Sequence, residues 1–300
     1  MYTLFNITQG VEFMKLKKKN LIIACLLICL SIIFTACSQQ SSNAINTSNK
    51  SNELKVHYID VGQGDSILVQ TKDKNILIDA GTRKSSDNLI NYLKKQHIKK
   101  LDYVIATHPH EDHIGGMPKV IDEFEISNFY APKKTANTKI FKDMILQLKK
   151  KNLKINVAKK GISLDLSNDS SLDFLAPVKD NYENTNDYSA VIKLTHGNTK
   201  FLFTGDAEKT SEKDILNSNV DLSSNILKVG HHGSHSSSSK EFLDKVNPKM
   251  AIISCGKNND YGHPHKETMK ELKKRNIEVY RTDIDGNILL TSDGENIKKN

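Results

Sequence analysis

Residues 101–116, LDYVIATHPHEDHIGG, run from an apolar stretch into a short loop carrying three histidines and two acids. Imidazole and carboxylate are ligand types that suit zinc, manganese or iron. His108 and His110, followed at once by Asp112 and His113, can face two neighbouring metal positions from one tight turn. Gly115 and Gly116 let the backbone pass close to such a site. Three more stretches carry related chemistry. KFLFTGD ends an apolar run on Gly205-Asp206, where a carboxylate can bridge two cations. ILKVGHHGS ends another on His231-His232, and YGHPH places His263 and His265 after a run that closes at Cys255. Each is weak alone, because a lone Gly-Asp is more often a turn and a His before Pro more often a loop residue. Together, each after a strand-like run, they point to one metal cluster.

The elements that must position these groups are legible from periodicity. Leu101, Tyr103, Val104, Ile105 and Ala106 have the composition of a buried strand, so His108 emerges at a strand's carboxyl end, where α/β folds place their chemistry. Upstream, the short apolar runs 54–59, 66–71 and 75–78, separated by Gly62, Gly64 and a Lys72-Asp73-Lys74 turn, predict a meander. Residues 87–96 predict a helix with Leu89, Ile90 and Leu93 on one face. Downstream come helices over 117–124 and 139–150, the latter with Phe141, Ile145 and Leu148 inward, and a strand over 126–130. The second half repeats the order. Strands are expected near 154–157, 171–175, 189–195, 200–203, 225–229, 250–254, 277–281 and 287–291, with helices over 208–217, 239–246 and 265–275. An α/β architecture of two mixed sheets between outer helices, an αββα sandwich, accommodates this order in one domain over 53–300.

The N-terminus reads differently. From Met14 a Lys-rich segment leads into an apolar run, Leu21 to Phe34, and a small-residue site ending at Cys37, the pattern of a secretory signal over 1–37. Phe34-Thr35-Ala36-Cys37 also resembles the lipobox of bacterial lipoproteins, which implies acylation of Cys37 and anchoring at the extracellular face of the cell membrane. Residues 38–52, rich in Ser and Asn, read as a flexible tether. Cys25 and Cys29 fall in the signal and Cys37 is lipidated on this reading, so Cys255 stands alone in the folded part and no disulfide forms within it. The formal charge of +8 counts four Lys and one Glu from residues 1–37. What remains is 39 basic against 34 acidic residues, a net +5 that is compatible with a polyanionic substrate.

The segments HYIDVGQGDS (57–66), ILIDAG (76–81), THPHEDHIGG (107–116), LFTGD (202–206), KVGHHGS (228–234) and YGHP (261–264) resemble the metallo-β-lactamase superfamily. Within it they are most similar to the hydrolase domain of ComEC-type competence proteins, a domain linked with DNA uptake. The resemblance implies the metallo-β-lactamase fold and two divalent ions, zinc or manganese. By position, it implies that His108 and His110 bind one ion and Asp112 and His113 the other. Asp206 would bridge them, His231 would complete the second set, and His232 would stand beside it as ligand or phosphate contact. Asp79 would be the buried acid that holds the histidine loop. One departure stands out: lactamase-type members have a third histidine on the first ion, and His196 is the nearest candidate here. A strand of six or seven residues puts it roughly 20 Å from Asp206, too far to share a cluster.

The expected reaction is metal-assisted hydrolysis, with Asp112 orienting the water. His232, Ser234 and His263 are candidate donors to phosphate oxygens, and Ser189 or Asn186 could serve from the opposite side. The leading expectation is a membrane-tethered phosphodiesterase or nuclease whose partner is a phosphodiester substrate, DNA first among them. The alternatives are an esterase of phosphorylcholine or teichoic acid and a metal-stabilised DNA-binding module without turnover. The absent histidine disfavours a lactamase or lactonase. Nothing in the sequence signals a protein partner.

Overall fold

The computed structural model describes residues 53–300 apart from Asn168, so the expected signal and tether lie outside the described residues. The chain begins with β1 (Leu54–Tyr58), β2 (Ile67–Gln70), β3 (Asn75–Ile78), α1 (Ser86–Lys95), β4 (Lys100–Ile105), α2 (Glu111–Ile114), α3 (Met117–Glu123) and β5 (Glu125–Ala131). It continues through α4 (Lys139–Lys150), β6 (Ile155–Val157), β7 (Ser163–Ser167), β8 (Ser170–Phe174), β9 (Ile192–His196), β10 (Thr199–Phe203), α5 (Lys209–Asn217) and β11 (Ile226–Lys228). The last elements are α6 (Lys240–Val246), β12 (Met250–Ile253), α7 (Lys266–Lys274), β13 (Glu278–Arg281), α8 (Thr282–Asp285), β14 (Ile288–Ser292) and β15 (Ile297–Lys299).

Eight strands form one sheet in the order β15-β14-β1-β2-β3-β4-β5-β6, and seven form the other in the order β13-β12-β11-β10-β9-β8-β7. Side chains alternate across each strand, so each sheet has two apolar faces to bury. Ile76 and Ile78 point into the core between the sheets with Phe201 and Phe203, whereas Leu77 and Leu202 point outward. Leu77 meets the layer that contains Leu89, Leu93 and Met117, and Leu202 meets Ile215, Phe242 and Leu272. The result is helix, sheet, sheet, helix, the layering expected from the order of strands and helices.

The structure differs from the sequence reading at several elements. On α4 the buried stripe is Ile140, Met144 and Leu148, with Phe141 and Ile145 only partly buried at its flank. Both sets lie within one helical face, and packing selects the i, i+4, i+8 row. The expected strand from Ser189 starts at Ile192; a 3₁₀ turn, Thr185–Tyr188, precedes it because the Asn184 side chain accepts from the Asn186 N–H at 3.1 Å. β7, β15, α2 and α8 are short elements that carry too few apolar residues to be read from the sequence.

Topology matters most for the chemistry. β3, β4, β5 and β6 are parallel neighbours, and so are β10, β11, β12 and β13. The loops that leave the carboxyl ends of β3, β4, β10, β11 and β12 carry all the candidate site residues singled out above except Asn186, Ser189 and His196, and they meet at one edge of the sandwich.

Candidate metal centre

His108, His110, Asp112 and His113 occupy the loop after β4 and the first turn of α2. Nε2 of His108 lies 3.0 Å from Nδ1 of His110 and 3.7 Å from Oδ2 of Asp206. Nε2 of His113 is 3.2 Å from the same Asp206 oxygen. From the loop after β11, Nε2 of His232 lies 3.2 Å from Asp112 Oδ2 and 3.5 Å from Asp206 Oδ1. Asp112, His113, Asp206 and His232 thus offer donor atoms within 4.8 Å of one another. The Asp206 carboxylate stands between this set and the His108–His110 pair.

The expectation for the His231-His232 pair changes here. His232, fully buried, is the member that joins Asp112 and His113, while His231 turns its Nε2 to within 3.8 Å of Asp206 Oδ2 from the cleft side. Its Nδ1 contacts Glu208 at 3.0 Å and Ser236 at 3.2 Å. Both residues have positive φ, 48° and 54°, a backbone that L side chains adopt at a cost. The His231 N–H donates to Gly205 O at 3.1 Å and the Ser234 N–H to His231 O at 2.8 Å, and these bonds hold the strained pair in place.

Each inward ring is oriented from behind. Asp79, wholly buried, lies 2.7 Å from His113 Nδ1, while its other oxygen accepts the Thr107 N–H at 2.8 Å. The Thr107 hydroxyl donates to Asp79 at 2.6 Å and can accept from His108 Nδ1 at 3.1 Å. This fixes both tautomers so that Nε2 presents its lone pair to the cluster. His232 Nδ1 donates to the Ser254 carbonyl at 2.9 Å, with Asp65 Oδ1 at 3.3 Å. Asp65 also forms a 2.9 Å ion pair with Lys228, and both are buried. This Asp65–Lys228 support was absent from the sequence reading. The available signal was a Lys inside the apolar ILKVG run and an Asp beside Gly64, each of which reads alone as a solvated charge. Gly64 is required: a Cβ there would collide with the Asp112 carbonyl, which accepts the Asp65 N–H at 3.1 Å.

The donor set fits a divalent ion. His113 Nε2, His232 Nε2 and Asp206 Oδ1 are buried and lack hydrogen-bond partners, although they converge. Such orphaned groups cost about 1–3 kcal/mol each unless a cation or its equivalent satisfies them. Burial opposes protonation of His113 and His232, but Asp206 and neighbouring carboxylates outweigh it and hold both well above the ordinary histidine value. Burial would raise Asp206 and Asp112, yet the surrounding imidazoles keep both carboxyls well below the usual range. His108 is pushed well down by burial and by the charge of His113. Protons on His113 and His232 thus neutralise acids that a metal ion would neutralise instead.

Other expected site residues fall on both sides of the cleft wall. Asn186, His231 and His263 line an opening of about 340 Å³ together with Gln63 and Tyr261. Ser189 does not: it is fully buried, and its hydroxyl accepts the Asp206 N–H at 3.1 Å and sits 3.4 Å from His108 Nδ1. Ser234 is also buried, bonded to Ser236 Oγ at 2.9 Å within a turn. Both serines support the cluster's framework, because the sandwich packs them inward. His196 lies at the opposite end of the β9–β10 hairpin, paired with Thr199 and 2.8 Å from Ser170 Oγ, away from the residues that follow Phe203.

Two sheets between helices, with a histidine–aspartate cluster at their carboxyl edge, define a metallo-hydrolase of the metallo-β-lactamase type. The profile of the metallo-beta-lactamase superfamily matches residues 59–257, and the chain belongs to that family. Its relatives include ComE operon protein 3 of Bacillus subtilis strain 168, 32% identical over an alignment of 256 residues that covers 79% of this chain and 33% of that protein. Competence protein ComA of Neisseria gonorrhoeae is 30% identical over 239 residues, 78% of this chain and 32% of that protein. The chain therefore spans about a third of the length of these relatives. Among solved structures, the metallo-beta-lactamase fold protein YhfI from Bacillus subtilis superposes with a TM-score of 0.55 at 17% identity, covering 80% of this chain and 100% of that one. That likeness is one of fold.

Proposed function

We propose that this protein is a phosphodiesterase that cleaves nucleic-acid strands outside the cell, held at the membrane through acylated Cys37. The observation that carries the reading is the character of the cleft. Gln63, His110, Glu111, Asp112, Asn186, Asp206, His231, His232, Tyr261 and His263 line it, so it offers hydrogen bonds and charge and has no aliphatic wall. Such a lining suits a charged phosphate ester, whereas pockets for drug-sized ligands are lined predominantly by apolar side chains. Similarity to competence proteins supports nucleic acid as the polymer.

On this reading His108, His110 and Asp206 would hold one divalent ion, and Asp112, His113, His232 and Asp206 would hold a second. When bound, such ions would supply Lewis acidity that acidifies water and offsets charge on a phosphoryl oxygen. Asp112, at the cleft side of the cluster, orients the attacking water. His263 donates to a non-bridging oxygen. Burial holds its pKa down at about 4, so the ring is neutral. Gln63 fixes its tautomer: the amide oxygen accepts the Gly256 N–H at 3.1 Å, leaving the amide nitrogen to donate to His263 Nδ1 at 3.4 Å and Nε2–H free for substrate. Asn186 and His231 line the same opening.

The test is hydrolysis of DNA and of bis-p-nitrophenyl phosphate by the full-length protein in detergent, with zinc or manganese. Asp206→Ala is expected to abolish both activities, a loss of roughly 10³-fold or more, and to lower bound metal measured by elemental analysis. Release of choline or glycerol phosphate from wall polymer with DNA left intact would move the assignment to an esterase. Binding of DNA without turnover under every divalent ion would favour a binding module.

A further inference from the structure

The metal cleft does not end at Gln63. Gln63 and Glu111 line it and also line a second groove of about 670 Å³, which continues past the Thr82–Asn88 segment to Lys257. Three acids border this groove: Asp60 and Glu111 hold backbone N–H groups and keep their charge, and Asp283 alone is offset by a cation. Asp60 accepts the Gly62 N–H at 3.0 Å, Glu111 accepts the Arg83 N–H at 2.8 Å, and Asp283 pairs with Arg281 at 2.6 Å. Lys84 and Lys257 are exposed and have no ion-pair partner among the described residues. The groove therefore offers two uncommitted cations next to the reactive cleft.

The rim between the two carries a second feature. Tyr261 is 66% exposed, an unusual state for so large a ring, and its inner face stacks on His263 at 5.5 Å between centroids and 19° between planes. Its backbone is pinned on both sides: the N–H donates to Asn259 Oδ1 at 3.2 Å and the carbonyl lies 3.1 Å from His265 Nε2. The outer face is presented to solvent on a fixed support. One loop, 256–261, thus sends Lys257 into the groove and Tyr261 onto the cleft, and Gln63 fastens that loop through Gly256.

We propose that cleft and groove form one track for a single nucleic-acid strand. The phosphate to be cleaved lies at the metal cluster, an unpaired base stacks on Tyr261, and a neighbouring phosphate of the same strand is held by Lys84 and Lys257. The proposal rests on the phosphodiesterase reading and deepens it, since a small phosphate ester would fill the cleft alone. Single strands are required because bases within a duplex already stack on their neighbours and have no free face for Tyr261. Base–aromatic stacking and phosphate neutralisation are the two contributions such a track supplies.

Fluorescence anisotropy of a short labelled oligothymidylate tests this with the full-length protein in detergent, using calcium as the only divalent ion. Tyr261→Ala and the pair Lys84→Ala with Lys257→Ala are each expected to weaken binding about tenfold. Only the lysine pair should flatten the salt dependence, and a duplex should bind more weakly and ignore Tyr261→Ala. Hydrolysis of bis-p-nitrophenyl phosphate should be unchanged in the lysine pair. The track is overturned if wild-type protein fails to bind the oligonucleotide, if both variants bind as wild type does, or if the duplex depends equally on Tyr261. Loss of binding in the variants, with neither ester cleaved by wild type, would support the track while removing the hydrolytic reading.

Discussion

His113 and His232 face each other across the cluster, with ring centroids 5.3 Å apart, yet they are held in different ways. Behind His113 stands Asp79, whose two oxygens are shared among the ring, the Thr107 N–H and the Thr107 hydroxyl. Asp79 and Thr107 follow neighbouring strands of one sheet, and His113 lies in α2, just beyond the second of them. Behind His232 stands the Ser254 carbonyl, and beyond it a buried ion pair whose members come from different sheets: Asp65 precedes β2 and Lys228 ends β11. The first support is local to its half. The second ties the halves together, so the position of His232 depends on the packing of one sheet against the other.

Three measurements would break or sharpen that contrast, the largest effect coming first. Lys228→Met leaves the Asp65 carboxylate buried without its lysine, and should destabilise the fold by about 3–5 kcal/mol in urea unfolding. Adding Asp65→Asn should recover much of that loss. If the single substitution costs less than about 1 kcal/mol, the pair is not the cross-sheet tie described above. Next, Asp79→Asn should lower metal affinity by about 10- to 100-fold, because it removes the group that orients His113. Asp65→Asn should lower it less, since Ser254 still orients His232; competition with a chromogenic chelator reads both, and the reverse order would show that the ion pair, not the carbonyl, governs His232.

The third measurement concerns a buried histidine whose hydrogen-bond partners are both neutral. His57 in β1 contacts the Tyr92 hydroxyl at 2.9 Å and Gln70 Oε1 at 3.0 Å. Burial pushes its pKa down to about 4, opposite in direction to His232. The unfolded chain then binds this proton more readily than the folded one. The contribution is fully present above about pH 6.5 and is lost as pH falls toward about 4, a change of about 3 kcal/mol. His57→Gln should flatten that part of the stability profile relative to wild type. An unchanged profile would mean that neutral and charged surroundings do not separate these two histidines as argued.

Much of the site was legible because its ligands cluster in short sequence intervals after apolar runs. His108, His110, Asp112 and His113 fall within six residues, and Asp206 ends its own strand. Asp79 carried a signal as well, closing the ILID run. The division of labour between His231 and His232 carried none. Adjacent residues with positive φ point in directions that strand or helix periodicity does not describe, so only the folded turn shows which ring enters the cluster. Ser189 and Ser234 were misread for a related reason: polarity suggested the cleft, but burial depends on the layer above each loop.

By itself the sequence determined the alternating apolar faces, and hence two sheets between helices, and it determined that metal-binding side chains sit at strand ends. Those are local properties, set by period and residue type. Tertiary structure alone decided that Asp206 stands between two histidine groups, that Lys228 reaches Asp65 across the sandwich, and that the cleft opens into a groove past Gln63. These depend on which strands are neighbours and on how the sheets pack, contacts between residues far apart in the chain that no local pattern encodes.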